Sequence, residues 1–178
     1  MTDGSGGLRV PSIELLPSDP DHDDRDRVRD ILDLQEGHWP VPLLGDAAIT
    51  EVLRDARRIA IVGASPNPVR PSNGVMRTLL AAGYDCVPVN PNTDSVLGRA
   101  CFPTVEAAVA ATGSVDIVDV FRRPAATPEV ARAAVAVDAK VLWLQLGVIS
   151  WEAARIAHEG GLDVVMDRCT AIELRRLR

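Results

Sequence analysis

From Arg58 onward the chain alternates short β-branched apolar runs with alanine-rich segments of helical period. That alternation constrains the fold more than any other feature. A strand followed by a helix and a second parallel strand is the right-handed βαβ unit, and its repetition builds a parallel sheet covered by helices on both faces. The runs read as strands are 58–63, 85–89, 115–121, 140–146 and 162–167. Ile59-Ala60-Ile61-Val62 and Ile117-Val118-Asp119-Val120 show little polar alternation, as strands buried on both faces do. Helices are expected near 72–82, 104–111, 128–137, 150–159 and 170–177. The fold class is therefore α/β: a Rossmann-like parallel sheet of five strands with helices on both faces, occupying residues 46–178 as one domain, with no internal repeat.

Residues 1–45 read as an acidic N-terminal extension. They hold ten Asp/Glu against four Arg, whereas residues 46–178 hold fifteen of each sign. The segment 1–24 has little to bury and is expected to be mobile. Val28, Ile31, Leu32 and Leu34 have helical spacing, so one short helix is expected over 25–35, stopped by Gly37 and Pro40-Val41-Pro42. A second helix is expected over 46–56, with Ile49, Val52 and Leu53 inward. The extension is expected to be dispensable for folding, and its acidity offers a surface for a protein partner.

Composition excludes several classes. The longest apolar runs are too short to span a bilayer, and no cationic start leads into an apolar block, so the cytoplasm is the expected compartment. With aromatics at 3% and no basic stripe, nucleic acid is a poor candidate partner. Cys86, Cys101 and Cys169 are odd in number and widely separated, which argues against a disulfide framework or a structural zinc.

In a sheet of this kind ligands bind beyond the carboxyl ends of the strands. Five segments follow those ends. Gly63-Ala64-Ser65-Pro66-Asn67-Pro68-Val69-Arg70-Pro71-Ser72 combines a tight glycine turn, two hydroxyls and a helix start where a phosphate can sit, with Arg70 to pair with it. A proline-stiffened turn with Ser72 as helix N-cap is the plainer alternative. Pro88-Val89-Asn90-Pro91-Asn92 forms a rigid shelf for a flat base, or simply ends a strand. Val120-Phe121-Arg122-Arg123-Pro124 brings an aromatic and two guanidiniums, suited to a polyanion or to solvent. The last two are Trp143-Leu144-Gln145-Leu146-Gly147-Val148 and Val164-Val165-Met166-Asp167-Arg168-Cys169. GxGxxG is missing, Val89-Asn90-Pro91 stands where an NAD enzyme would place an acidic residue, and no Gly-Lys-Ser/Thr occurs, so dinucleotides and Walker-type sites are disfavoured.

In this order, Gly-Ala-Ser-x-Asn-Pro-x-Arg-Pro-Ser, Pro-Val-Asn-Pro, Val118-Asp119-Val120-Phe121-Arg122, Leu-Trp-Leu-Gln-Leu-Gly-Val and Val-Met-Asp-Arg-Cys resemble the small stand-alone coenzyme A-binding proteins. Their single domain is similar to the CoA-binding domain of the succinyl-CoA synthetase α subunit. The resemblance covers about residues 46–178. It implies that Gly63, Ala64, Ser65, Asn67, Arg70 and Ser72 hold the phosphates of coenzyme A, that Val89, Asn90 and Pro91 flank the adenosine, and that Phe121 with Arg122 closes the other side. Where the family commonly has proline after Cys169, this chain has Thr170, which can cap a helix as well.

The synthetase also relays phosphate through a histidine in a second domain, which has no counterpart here. His22, His38 and His158 do not follow strands, so no base stands beside Cys169 and no catalytic residue is assigned. The expected function is binding of CoA or acyl-CoA. The alternative is an enzyme or subunit using the same cleft for acyl transfer or another nucleotide, with Gly147-Val148 and Arg168-Cys169 at its reactive end. Cys169, beside Arg168 and at a helix start, is either a reactive thiol that bound ligand would protect or an inert packing residue.

Overall fold

The computed structural model describes residues 24–177. The segment 1–24, expected to be mobile, lies almost wholly outside them. In chain order the elements are α1 (Asp24–Glu36), α2 (Asp46–Asp55), β1 (Arg58–Val62), α3 (Pro71–Ala81), β2 (Asp85–Val89), β3 (Ser95–Val96), β4 (Arg99–Ala100), α4 (Val105–Thr112), β5 (Ile117–Val120), a 3-10 turn (Pro124–Ala126), α5 (Thr127–Ala136), β6 (Val141–Leu144), α6 (Trp151–Glu159), β7 (Asp163–Val165) and α7 (Thr170–Arg176). The principal sheet is parallel throughout, in the order β2-β1-β5-β6-β7. It is the Rossmann-like α/β arrangement expected, with strands shorter by up to two residues at an end.

Alternation along each strand sends neighbouring side chains to opposite faces, and each face has its own helices. Ala60, Val62, Val87, Val89, Val118, Val120, Leu142 and Leu144 meet α4, α5 and α6. Ile59, Ile61, Ile117, Val141, Trp143 and Val165 meet α2, α3 and α7. The chain leaves β1 for β2 on one side, then crosses back to β5 on the other. That reversal leaves a crevice between the carboxyl ends of β1 and β5.

Local signals set where the helices begin. Thr104 caps α4 by accepting from the Ala107 N–H (3.1 Å), and Ser150 caps α6 by accepting from the Ala153 N–H (3.3 Å). Pro71 opens α3, where a missing N–H costs nothing. The antiparallel pair β3–β4 was not expected. Its two-residue turn puts Leu97 (φ 50°) and Gly98 (φ 75°) in the left-handed region, a hairpin geometry that usually announces itself as Asn-Gly.

The residues before α2 are held to the sheet more firmly than an extension with one short helix implies. The Trp151 indole N–H donates to the Asp30 carbonyl (3.1 Å), Leu34 and Leu43 pack against the α4–α6 side, and Val41 is only 6% exposed. The Leu44 N–H donates to the Val164 carbonyl (2.9 Å), occupying part of the free edge of β7.

Candidate functional site at the carboxyl edge

The site begins at Gly63, which turns the chain out of β1 with φ +85°. A Cβ there would stand 3.1 Å from the Phe121 carbonyl oxygen and 3.3 Å from Arg122 Cδ, so only glycine lets the Arg122 stem lie across this turn. Backbone bonds fix the junction: the Gly63 N–H donates to the Val89 carbonyl (2.9 Å) and the Phe121 N–H to the Val62 carbonyl (2.8 Å). Three strand ends are thereby held together at the switch point.

Beyond Gly63 the turn is braced by its own side chains. Ser65 Oγ accepts from the Asn67 N–H (3.2 Å), and Asn67 Oδ1 accepts from the Val69 N–H (3.0 Å). Asn73 Nδ2 donates to the Ser65 carbonyl (2.9 Å), and Asn90 Nδ2 donates to the Ala64 carbonyl (2.7 Å), which ties the end of β2 to the turn. The N-cap of α3 is Arg70, not Ser72. Ser72 sits in the first turn, 3% exposed, and its hydroxyl has no hydrogen-bond partner among the described residues.

Between α4 and α5, on one side of this junction, lies a groove of about 510 Å³. Val62, Gly63, Val89 and Pro91 belong to its floor and upper end, Val105 and Glu106 come from α4, and Glu129, Val130, Arg132 and Ala133 come from α5. Arg122 lines it as well. Glu106, Arg122, Glu129 and Arg132 are exposed, and none has an ion-pair or hydrogen-bond partner among the described residues. Of the residues expected at the site, Gly63, Val89, Pro91 and Arg122 line this groove. Ala64 is buried beneath the turn, Ser65, Asn67, Arg70 and Ser72 belong to the β1–α3 turn, and Asn90 braces it. Phe121 diverges from Arg122 and packs on the opposite face of the sheet, with the α3 and α7 residues.

Two groups of residues had escaped the sequence reading. The α5 wall, Glu129 and Arg132, carries no motif; its only signal is the run of small residues that line the groove beside it, Ala133 and Ala136 in α5 and Ala126 in the turn before it. The second group is a buried triad. Asp119, wholly buried in β5, accepts from Gln145 Nε2 (2.8 Å) and from Thr170 Oγ1 (3.0 Å), and Gln145 Nε2 also lies 2.8 Å from Thr170 Oγ1. Burial pushes the Asp119 carboxyl up to about 7, against the pull of the Gln145 and Thr170 hydrogen bonds. The N-cap of α7 is Cys169, so Thr170 does not cap the helix; its hydroxyl serves Asp119.

Arg168, which the alternative reading places at a reactive end, is held by partners of its own. It bonds Asp46 (2.7 Å) and Glu173 (3.1 Å), and the adjacent Asp167 accepts from the Gly147 N–H (2.6 Å). Arg168 is thus engaged in joining α7 to α2. Cys169 is partly buried against the α2–α3–α7 cluster, and burial holds the Cys86 thiol up at about 12. Of the described histidines, His38 pairs with Glu36 (3.3 Å) beyond α1, and His158 lies in the last turn of α6, which starts at the carboxyl edge and runs away from it. No helix among the described residues is long and apolar enough to cross a membrane.

A family profile described as a CoA binding domain matches residues 57–175. The uncharacterized protein YneT of Bacillus subtilis (strain 168) is 40% identical over 126 residues, which span 71% of this chain and 91% of that protein. A solved hypothetical protein from Pyrococcus horikoshii OT3 superimposes with a TM-score of 0.71 at 42% identity, covering 75% of this chain and 92% of its own. A Thermus thermophilus structure does so with a TM-score of 0.70 at 33% identity, covering 76% of this chain and all (100%) of its own. The matched region contains the whole parallel sheet, the glycine turn and both walls of the groove, and the chain belongs to the CoA-binding domain family.

Proposed function

We propose that this protein binds coenzyme A or an acyl-CoA at the carboxyl edge of its sheet, as a binding module without catalysis of its own. The observation that carries the reading is the groove at the switch point, where Gly63 admits the Arg122 stem and an apolar floor of Val62 and Val89 meets unpaired charges. In this reading Gly63, Ala64, Ser65, Asn67, Arg70 and Ser72 receive the phosphates. The unpartnered Ser72 hydroxyl in the first turn of α3 and the unpaired Arg70 at its cap are suited to that role. Val89, Asn90 and Pro91 flank the adenosine, with Arg122 above it. Phe121 then shapes the site from beneath, through the opposite face.

The reading places the protein in the cytoplasm and leaves the acidic residues before α2 as the surface for any protein partner. It is tested by thermal denaturation. A ligand that binds only the folded form stabilises it by RT ln(1 + [L]/Kd), about 2.7 kcal/mol at a hundredfold excess over Kd. CoA is expected to raise Tm at low-millimolar concentration or below, and NAD far less. Equal shifts by the two would refute the assignment. Release of thiol from acetyl-CoA on incubation with the protein would instead favour an acyl-transfer enzyme.

A further inference from the structure

The motifs account for the upper end of the groove and leave its α5 wall unexplained. α5 is pressed against α6, where a Cβ on Gly160 would fall 2.4 Å from Val135 Cγ2, whereas Ala133 and Ala136 of α5, with Ala126 of the preceding 3-10 turn, line the groove with small side chains that leave its volume open. Val130 adds to the apolar lining on this side. Arg122 and Arg132 are the two cations that line the groove, and they come from different elements. Arg122 is fixed by its stem over Gly63, whereas Arg132 stands five residues beyond the first residue of α5, about 7.5 Å along the helix at about 1.5 Å per residue. Neither has a partner among the described residues, although Glu129 lies three positions before Arg132 on the same helix.

Two separated guanidiniums over an apolar floor suit a ligand with a flat base and two separate phosphate groups. Glu106 and Glu129 on the same rim would accept from a base amino group and oppose any further anion. An uncharged hydrocarbon chain would use the floor and leave all four charges without a counterpart. We infer that Arg132 is a specificity residue which selects nucleotides bearing a phosphomonoester on the ribose, in addition to the 5′-phosphates received at the Gly63–Ser72 turn. The inference rests on the CoA reading and goes further than it, since it distinguishes CoA from dephospho-CoA.

Calorimetric titration of the full chain with CoA and dephospho-CoA, and with adenosine 3′,5′-bisphosphate and AMP as short probes, tests it. The wild type is expected to favour the ribose-phosphorylated member of each pair by about tenfold or more, as a charge-assisted bond to phosphate implies. Arg132→Gln is expected to bring that ratio close to one, leaving dephospho-CoA binding within about twofold and Tm unchanged. Arg132→Lys, which keeps a point charge without the planar fork, is expected to retain part of the preference. A wild-type ratio near one, an unchanged ratio in Arg132→Gln, or an equal loss for both members of a pair each overturns the inference while leaving CoA binding itself intact. Failure of the wild type to bind either cofactor overturns the functional reading and this inference with it, and is a distinct result.

Discussion

The two ends of the parallel sheet use charge in opposite ways. At the amino end Arg58, Asp85, Asp116 and Lys140, at or just before the starts of β1, β2, β5 and β6, are answered from within the chain. Asp85 holds Arg58 and Arg99 (both 2.7 Å), and Asp116 holds Lys140 (2.7 Å) while accepting from the Arg57 and Arg58 N–H groups (2.8 and 3.0 Å). The Arg58 guanidinium also reaches the Thr112 carbonyl. At the carboxyl end, Arg70, Arg122, Arg132, Glu106 and Glu129 have no such partners among the described residues. The difference separates charges that join elements of the fold from charges that the fold leaves without a partner. The carboxyl end does hold partnered polar groups, Asp119 and Arg168, but these lie beneath the rim and join elements together.

The largest expected effect tests whether the fold ends where the family match does. Deleting residues 1–42 removes buried Val41, the Leu34 contact and the acceptor of the Trp151 indole, and is expected to cost on the order of 4 kcal/mol in a denaturant titration. CoA affinity is expected to persist. A loss under about 1 kcal/mol would restore the dispensable extension that the sequence suggests.

Next in size is the buried triad. Asp119 binds its proton more tightly in the folded chain than in the unfolded one, so the native state carries the extra proton between about pH 4 and about 7. Stability from this group is therefore full at low pH and falls as pH rises through that window, by up to a few kcal/mol. Asp119→Asn is expected to abolish that slope, read as the difference in urea midpoint between wild type and variant from pH 4 to 8. Parallel profiles would mean that the carboxylate is charged throughout.

A matched pair of substitutions then separates the two ends of the sheet. Asp116→Ala strips the Arg57 and Arg58 N–H groups of their acceptor and is expected to cost about 1–3 kcal/mol of stability with CoA affinity unchanged. Burial opposes the Asp116 charge, but Lys140 and the two N–H groups outweigh it and keep the carboxyl below its ordinary value. Its contribution is accordingly present above the unfolded pKa and lost as pH falls through the folded one. Arg122→Ala is expected to do the reverse, weakening CoA roughly 10- to 150-fold by calorimetry with little change in Tm. If both variants lose stability and affinity together, the division between fold-serving and ligand-serving charge fails.

These contrasts also mark what the sequence can and cannot disclose. The sheet was legible because strands buried on both faces must be apolar throughout, and the helices because their caps and prolines stand in the right places. The β3–β4 hairpin was not, since Leu97 carries no turn signature and its left-handed backbone is imposed by the pairing around it. Gly63 and Arg122 were legible as a motif, but their mutual dependence appears only when two strands lie side by side. Asp119 was hidden inside an apolar run, and its partners Gln145 and Thr170 come from elements 25 or more residues away. The structural engagement of Arg168 was hidden because its partner Asp46 is 122 positions distant. Glu129 and Arg132 look like any solvated helix face until α4 is placed opposite.

The central claim is that the ligand enters at the carboxyl edge, and amide-resolved NMR titration with CoA tests it most directly. The account predicts saturable shifts at the amides of Gly63, Ser65, Asn90, Arg122 and Arg132, with those of Arg58, Asp116 and Lys140 unmoved. Shifts centred on the amino-end residues, or none at millimolar CoA, would contradict it.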